Sequence, residues 1–153
     1  MSEKTKRRAS SSARPAELPC ACANLRRAAR AVTQLYDEEL RPSGLRTTQF
    51  TLLQVLASTG SITQGGLGAM LSLDSTTLTR TLRLPLEKGW IKSVTGEDRR
   101  ERYLQLTAAG RRELERVRPH WERAQQRLRS VLGDRDWERI QAALVLLTAA
   151  AGA

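Results

Sequence analysis

The densest group of chemically capable side chains lies between residues 74 and 88. Its polar members recur at i, i+3, i+4 and i+7 and therefore share one face of a helix; they are Thr76, Thr79, Arg80 and Arg83. This face carries hydroxyl and guanidinium groups and no carboxylate. Hydroxyls bond bases or phosphates, and arginine grips guanine through two hydrogen bonds. The pattern predicts a helix that enters the major groove of DNA, and it is also compatible with an ordinary amphipathic surface helix.

A second basic group occupies residues 96–102, where Arg99, Arg100 and Arg102 lie close together. Guanidinium groups on an exposed loop can reach a minor groove, whose negative potential attracts them. Asp98 would not contact phosphate, and we expect it to orient Arg100 through a charge-assisted hydrogen bond. A solvated charged turn is the alternative. The order of helix, strand, basic tip and strand favours the contact with DNA.

Two thiols, Cys20 and Cys22, open the first predicted helix. The positive end of a helix dipole favours thiolate, so the pair is a candidate sensor of oxidants, thiol-binding metals or electrophiles. Residues two apart on a helix point about 200° apart, so both can serve one ligand only if the chain is extended there. Two small buried thiols are the alternative. Because His120 is the only histidine, a four-ligand zinc site lacks ligands, and we expect no metal and no cofactor.

The charge of the whole chain agrees with a polyanionic partner. Its 153 residues include 26 Lys and Arg against 16 Asp and Glu, for a net charge of +10, and such a surface attracts polyanions. Residues 1–18 are predicted to form a disordered basic tail. That tail holds five basic and two acidic residues, so most of the excess charge belongs to the folded part. Aromatic residues make up only 4%, which argues against a base-stacking platform for single strands.

Other function classes find little support in the sequence. A single histidine and the absence of a phosphate-binding glycine motif argue against an enzyme. The longest apolar stretch, residues 140–151, is shorter than the roughly 20 residues that span a bilayer. The basic start is followed by polar residues, unlike a signal peptide. We therefore expect a cytoplasmic protein with no membrane partner.

Apolar spacing and capping residues predict the elements that position these groups. A first helix from Cys20 to Leu40 ends at Pro42–Gly44, and Thr47 and Thr48 are candidate caps of a second helix. A short strand at Ile62 precedes a weak helix to Leu71, loosened by Gly65, Gly66 and Gly68. Asp74 caps the next helix, which runs to about Lys88 with a kink or early end expected at Pro85. Strands follow at 90–95 and 102–106, then a Thr107-capped helix to Leu132 and a last helix over 134–150.

The long helix carries a coiled-coil-like seam that predicts a dimer. Its apolar residues are spaced alternately by three and four positions, and they are Leu114, Val117, Trp121, Ala124, Leu128 and Val131. Trp137, Ile140, Leu144 and Leu147 continue the pattern on the last helix, and Leu25 of the first helix could join them. We expect Leu25, Trp121, Leu128 and the four residues of the last helix to form the dimer interface. An ordinary intramolecular core is the alternative.

Three stretches of this chain resemble the MarR family of winged-helix regulators. They are residues 71–80 (LSLDSTTLTR), residues 86–91 (LEKGWI), and Asp98-Arg99-Arg100 followed by residues 103–110 (YLQLTAAG). The resemblance covers about residues 20 to 150. It implies a mainly α fold with a small β-hairpin wing, a winged helix-turn-helix flanked by N- and C-terminal dimerisation helices. The implied divisions are a tail over 1–18, a first dimerisation helix within 19–45, a DNA-binding lobe over 46–107 and dimerisation helices over 108–153.

The same resemblance implies a homodimeric transcriptional regulator bound to a pseudo-palindromic operator on double-stranded DNA. A repressor released by a small-molecule effector or a thiol-reactive signal is expected, with Arg100 in the minor groove. The candidate DNA contacts are Ser75, Thr76, Thr77, Thr79, Arg80, Arg83, Asp98, Arg99 and Arg100. A winged-helix module that binds another protein, without specific DNA binding, is the alternative. Such a module would not need Arg80, Arg83 and Arg100 on one side.

Overall fold

The computed structural model describes residues 16–96 and 101–152, and it confirms the mainly α architecture with a small sheet. The elements in chain order are α1 (Ala21–Leu40), a 3-10 turn (Arg41–Ser43), α2 (Thr47–Thr59), β1 (Ser61–Thr63), α3 (Gln64–Leu71), α4 (Ser75–Glu87), β2 (Ile91–Thr95), β3 (Arg102–Leu106), α5 (Ala108–Leu132) and α6 (Asp134–Gly152). Leu18, which the sequence assigned to the basic tail, donates its N–H to the Asn24 side chain and accepts a hydrogen bond from it.

Side-chain caps begin α3, α4 and α5. The side-chain oxygens of Thr63, Asp74 and Thr107 each accept a hydrogen bond from the backbone N–H three residues later. Each bond satisfies a donor that has no partner inside the helix. The predicted caps of α2 were wrong, because Arg46 precedes that helix. Thr47 instead donates its N–H and its hydroxyl to Asp37 Oδ1, at 2.8 and 2.7 Å. These two bonds tie the start of α2 to α1.

The sheet has the order β1-β3-β2, and both pairings are antiparallel. Leu104 and Leu106 are two positions apart in β3, a spacing that predicts that both face the core. Both are buried, and Ile91 of β2 joins them. The predicted strand at Trp90 begins one residue later. The N–H of Trp90 donates to the Pro85 carbonyl at 2.9 Å, and its carbonyl accepts from Thr107 N–H at 2.9 Å. Trp90 therefore links the end of α4 to the start of α5.

The core lies where α2, α3, α4 and α5 meet the sheet, and it is almost wholly aliphatic around Phe50. Leu78, Leu82 and Leu86 recur every four residues, and this spacing predicts that they share one apolar face of α4. The prediction is wrong for Leu86, which is 40% exposed, whereas Pro85 is buried. A step of four residues advances about 40° beyond one full turn. Two such steps from Leu78 turn Leu86 away from the core, whereas Pro85 returns to it. The helix also continues two residues past Pro85, so no early end occurs.

Two glycines permit close approaches around the core. A Cβ on Gly68 would lie 3.2 Å from the Leu73 carbonyl oxygen and 3.4 Å from Leu78 Cδ2, so this glycine of the weak helix lets α3 approach α4. A Cβ on Gly110 would overlap the Trp90 carbonyl oxygen. The first turn of α5 can therefore lie against the chain entering β2 only because residue 110 has no side chain.

The long helices divide into a covered part and an open part. Leu114, Val117 and Ala124 of α5 are buried within the chain, whereas Val131 is 80% exposed. Ion pairs join α5 to α1, with Glu39 facing Arg123 at 3.7 Å and Arg127 at 3.3 Å. Helix α6 packs on α5, yet none of its described side chains is buried. The predicted seam is thus intramolecular at one end and uncovered at the other.

Candidate nucleic-acid interface

Helices α3 and α4 form a helix-turn-helix with a three-residue turn, Ser72–Asp74. Ser72 adopts a left-handed conformation, with φ of 51°, which ends α3. The N–H of Leu73 donates to the Gly68 carbonyl at 2.9 Å, so the turn folds back on the end of α3. Asp74 then caps α4 directly. These bonds in the turn and at the cap hold the start of α4 against the end of α3.

Asp74 and Thr77 form a closed capping pair at the start of α4. The Thr77 N–H donates to Asp74 Oδ1 at 2.8 Å, and its hydroxyl donates to Asp74 Oδ2 at 2.7 Å. These bonds from Thr77 lower the pKa of the Asp74 carboxyl below its ordinary value. Among the predicted contact residues, Thr77 is half-buried and its hydroxyl donor is used inside the protein. The structure gives Thr77 a capping role.

The outer face of α4 brings the other predicted contact residues together. An open groove runs along the helix, and it is lined by Ser75, Thr76, Thr79, Arg80, Arg83, Leu86 and Glu87. The five predicted members of this set are all exposed. Spacing in the sequence therefore placed them correctly on one side. We call this set the α4 outer face.

The two arginines of the α4 outer face differ in their partners. Arg83 Nε lies 3.8 Å from Glu87 Oε1, one helical turn away. The prediction of a face without carboxylates was therefore wrong, since Glu87 borders it. Arg80 makes no hydrogen bond or ion pair with any residue in 16–96 or 101–152. Its guanidinium keeps all five donors for an external acceptor such as a guanine edge or a phosphate.

Sequence reasoning missed two polar groups that lie beside this face. Gln64, the first residue of α3, places its Nε2 3.4 Å from Thr79 Oγ1. Arg46, at the start of α2, borders a second groove shared with Arg80 and Arg83, and it pairs with Asp37 at 3.3 Å. Neither residue belongs to the periodic pattern of α4. Only the packing of α2 and α3 against α4 reveals them.

The wing is present as strands β2 and β3. Just beyond the paired ends of the two strands, the N–H of Gly96 donates to the Glu101 carbonyl at 2.9 Å, and Tyr103 donates its hydroxyl to Glu101 Oε2 at 2.9 Å. Asp98, Arg99 and Arg100 lie outside the described residues.

Both cysteines are exposed and free, so the alternative of buried thiols is wrong. Cys20 precedes α1 in an extended conformation, and its side chain makes no capping bond. Cys22 lies in the first turn. Within the described part of the chain, no three His, Cys, Asp or Glu side chains are grouped so that they could hold a metal ion.

The predicted dimer residues fall into two groups. Leu25, Ile140, Leu144 and Leu147 are between 39% and 46% exposed, while Leu128 and Trp137 are half-buried. Trp121 already has a partner within the chain, because its ring centroid lies 5.9 Å from that of Phe50.

No helix within residues 16–96 and 101–152 is apolar and long enough to cross a membrane.

A capped second helix with a basic outer face, followed by a two-stranded wing, defines a winged helix-turn-helix DNA-binding protein. The profile of the MarR family matches residues 45–101. The transcriptional regulator MosR of M. tuberculosis, solved in complex with DNA, is 38% identical with a TM-score of 0.77 over 87% of this chain and 96% of that chain. The chain therefore belongs to the MarR family of transcriptional regulators, and its function is that of a DNA-binding regulator.

Two further relatives agree with this assignment. An uncharacterized HTH-type transcriptional regulator of Bacillus subtilis, YwoH, is 29% identical over 114 residues, which are 74% of this chain and 83% of that protein. Apo MarR from E. coli shares the fold at 23% identity, with a TM-score of 0.71 over 86% of this chain and 98% of that chain. The family consists of transcriptional regulators rather than enzymes.

Proposed function

We propose that the α4 outer face reads the major groove of a pseudo-palindromic operator, with the wing tip in the adjacent minor groove. The observation that carries this proposal is the exposed Arg80, which has no partner in the described residues and lies between Thr76, Thr79 and Arg83. An unpaired cation on a protein surface attracts phosphate and can grip guanine. Asp98, Arg99 and Arg100 would extend the contact from the wing.

The reading unit would be a homodimer. MarR proteins are dimers, and the apolar side chains of α6 and Leu25 of α1 lack cover in the single chain. A two-fold axis through these helices would present two α4 outer faces to half-sites about one DNA turn apart. The remaining division follows the sequence prediction, with a lobe over 46–107 between a first helix within 19–45 and helices over 108–153. A protein that occupies operators on a bacterial chromosome would act in the cytoplasm.

Selection of bound sequences from random duplexes, followed by an alanine comparison, tests the proposal. Arg80→Ala should weaken binding to the selected site by about 1–3 kcal/mol and relax the base preference at one position. Arg118→Ala is the matched control, because Arg118 is a partly exposed arginine of α5 that is paired with Glu115 and lies outside the α4 outer face. Wild-type affinity should fall steeply with salt through counterion release. Equal operator binding by wild type and Arg80→Ala would refute the assignment of α4.

The regulatory step would be release of a repressor. We propose that a small ligand between the dimer helices and the lobe, or modification of Cys20 and Cys22, weakens operator binding. Two exposed thiols, one just before α1 and one in its first turn, support the second route. Because Cys20 is extended, the helical separation of the two side chains does not apply to this pair. Peroxide should lower the operator affinity of wild type and leave Cys20→Ser, Cys22→Ser protein unchanged; equal responses would exclude the thiols.

A further inference from the structure

The hydroxyl groups of α4 are not equivalent. Three of its threonines donate their hydroxyl hydrogen inside the protein: Thr77 to Asp74 Oδ2 at 2.7 Å, Thr79 to the Ser75 carbonyl at 2.8 Å, and Thr81 to the Thr77 carbonyl at 2.8 Å. Of these, only Thr79 is exposed and lines the groove of the α4 outer face. Thr79 thus faces the proposed DNA site without a hydroxyl hydrogen to offer it.

The second side of the Thr79 hydroxyl is also occupied. Gln64 Nε2 donates to Thr79 Oγ1 across 3.4 Å from the neighbouring helix. A hydroxyl that bonds the carbonyl four residues earlier is turned toward its own helix backbone. The two heavy atoms on Cβ occupy separate staggered positions, so the γ-methyl takes another direction from the oxygen. In an exposed residue, that methyl is the group left for the groove.

The character of the groove agrees with this orientation. Six of its seven lining residues are polar or charged, yet its surface is largely apolar. The Thr79 hydroxyl is engaged by the Ser75 carbonyl and by Gln64, so its methyl group is the part of this side chain that can add to the apolar surface. Leu86, which is 40% exposed, adds an aliphatic side chain to the same groove.

We infer that Thr79 determines specificity by packing its γ-methyl against the C5-methyl of a thymine in each half-site. The thymine methyl is the one apolar feature that a base presents in the major groove, and a threonine methyl is a suitable partner for it. The inference rests on the proposed function of α4. It replaces the hydroxyl contact expected of Thr79 by an apolar contact, and it leaves Ser75, Thr76 and Arg80 to form the polar ones.

Removal of single methyl groups from both partners tests the pairing. Each thymine of the selected operator is replaced in turn by deoxyuridine, which lacks only the C5-methyl. One position in each half-site should weaken wild-type binding about fourfold, the effect of removing one buried methyl group. Thr79→Ser keeps the hydroxyl and removes the methyl, so it should bind the thymine and uracil duplexes equally. Thr79→Val keeps the methyl and removes the hydroxyl, so it should retain the wild-type preference.

The outcomes separate this inference from the function beneath it. Wild type that binds its selected duplex with no sensitivity to any methyl, or Thr79→Ser that remains as sensitive as wild type, overturns the methyl contact alone. Loss of the preference in Thr79→Val also overturns it, because the hydroxyl would then be the reading group. Wild type that binds no duplex at low ionic strength overturns the proposed function and this inference together. Matching melting temperatures of the three proteins establish that each variant is folded.

Discussion

The lobe around α4 and the helix α6 both carry many aliphatic side chains, but these side chains are buried in the lobe and exposed on α6. In the lobe, Phe50, Leu52, Leu53, Leu56 and Leu67 are fully buried by neighbours in the same chain. In α6, Ile140, Leu144 and Leu147 remain 39% to 46% exposed. Large contiguous apolar patches are rare on monomers. The core of the lobe is therefore complete within one chain, whereas the apolar side chains of α6 have no cover among the described residues of the same chain.

The largest effect should follow a cavity in the lobe. Leu53→Ala removes a side chain with no exposure, and such truncations cost about 2–5 kcal/mol because the site relaxes only partly. Urea unfolding followed by circular dichroism measures the loss. A cost below about 1 kcal/mol would mean that the lobe core is looser than the burial indicates.

A smaller loss should follow an added methyl group at the contact between α5 and the chain entering β2. In Gly110→Ala, the new Cβ would overlap the Trp90 carbonyl oxygen, and overpacking of this kind costs about 1–3 kcal/mol. Gly65→Ala is the control, since open space surrounds that position in α3 and alanine favours helix by about 1 kcal/mol. The same urea experiment should show opposite signs for the two variants, and equal signs would contradict the close approach.

The next prediction tests the open side of the comparison. Leu144→Ala should weaken the dimer by about 1 kcal/mol per protomer, the apolar burial that the exposed part of the side chain would lose. Sedimentation equilibrium measures the shift toward monomer. Met70→Ala, which truncates an exposed apolar residue of α3, should leave the association unchanged. If both variants associate as wild type does, α6 is not the dimer surface.

The smallest effect concerns the cap of α4 and depends on pH. Asp74→Ala should lower the melting temperature at neutral pH, because the Thr77 N–H and hydroxyl lose their acceptor. The pKa of Asp74 is lowered in the folded state. The contribution of Asp74 to the free energy of unfolding is therefore fully present above the ordinary carboxyl pKa, and it is lost as the pH falls through the lower pKa of the folded state.

The difference between wild type and Asp74→Ala should accordingly shrink in acid. Asp74→Ser provides the control, because serine can accept the same backbone bond without a titrating carboxyl. Its melting temperature should follow wild type at neutral pH and show less acid loss. A wild-type advantage over Asp74→Ala that is constant from neutral pH into acid would contradict the capping role.

The sequence by itself determined the features that depend on residues a few positions apart. The Asp74 and Thr107 caps, the alternation of Leu104 and Leu106, and the shared side of Thr76, Thr79, Arg80 and Arg83 all follow from bonds within a turn or from the period of an element. The family motif at 71–80 is likewise consecutive in the chain, so the sequence alone indicates that α4 is the helix proposed to contact DNA.

Only the tertiary structure decided which of these side chains are engaged or covered by neighbouring elements and which remain free to contact a partner. Thr47 bonds Asp37, ten residues earlier, and Thr79 meets Gln64 from another helix, fifteen residues earlier. The burial of Pro85 in place of Leu86 and the overlap that excludes a side chain at Gly110 likewise require a neighbouring element. A helical period specifies the direction in which a side chain leaves its own axis, but the atoms it meets there belong to segments whose positions only the packed core sets.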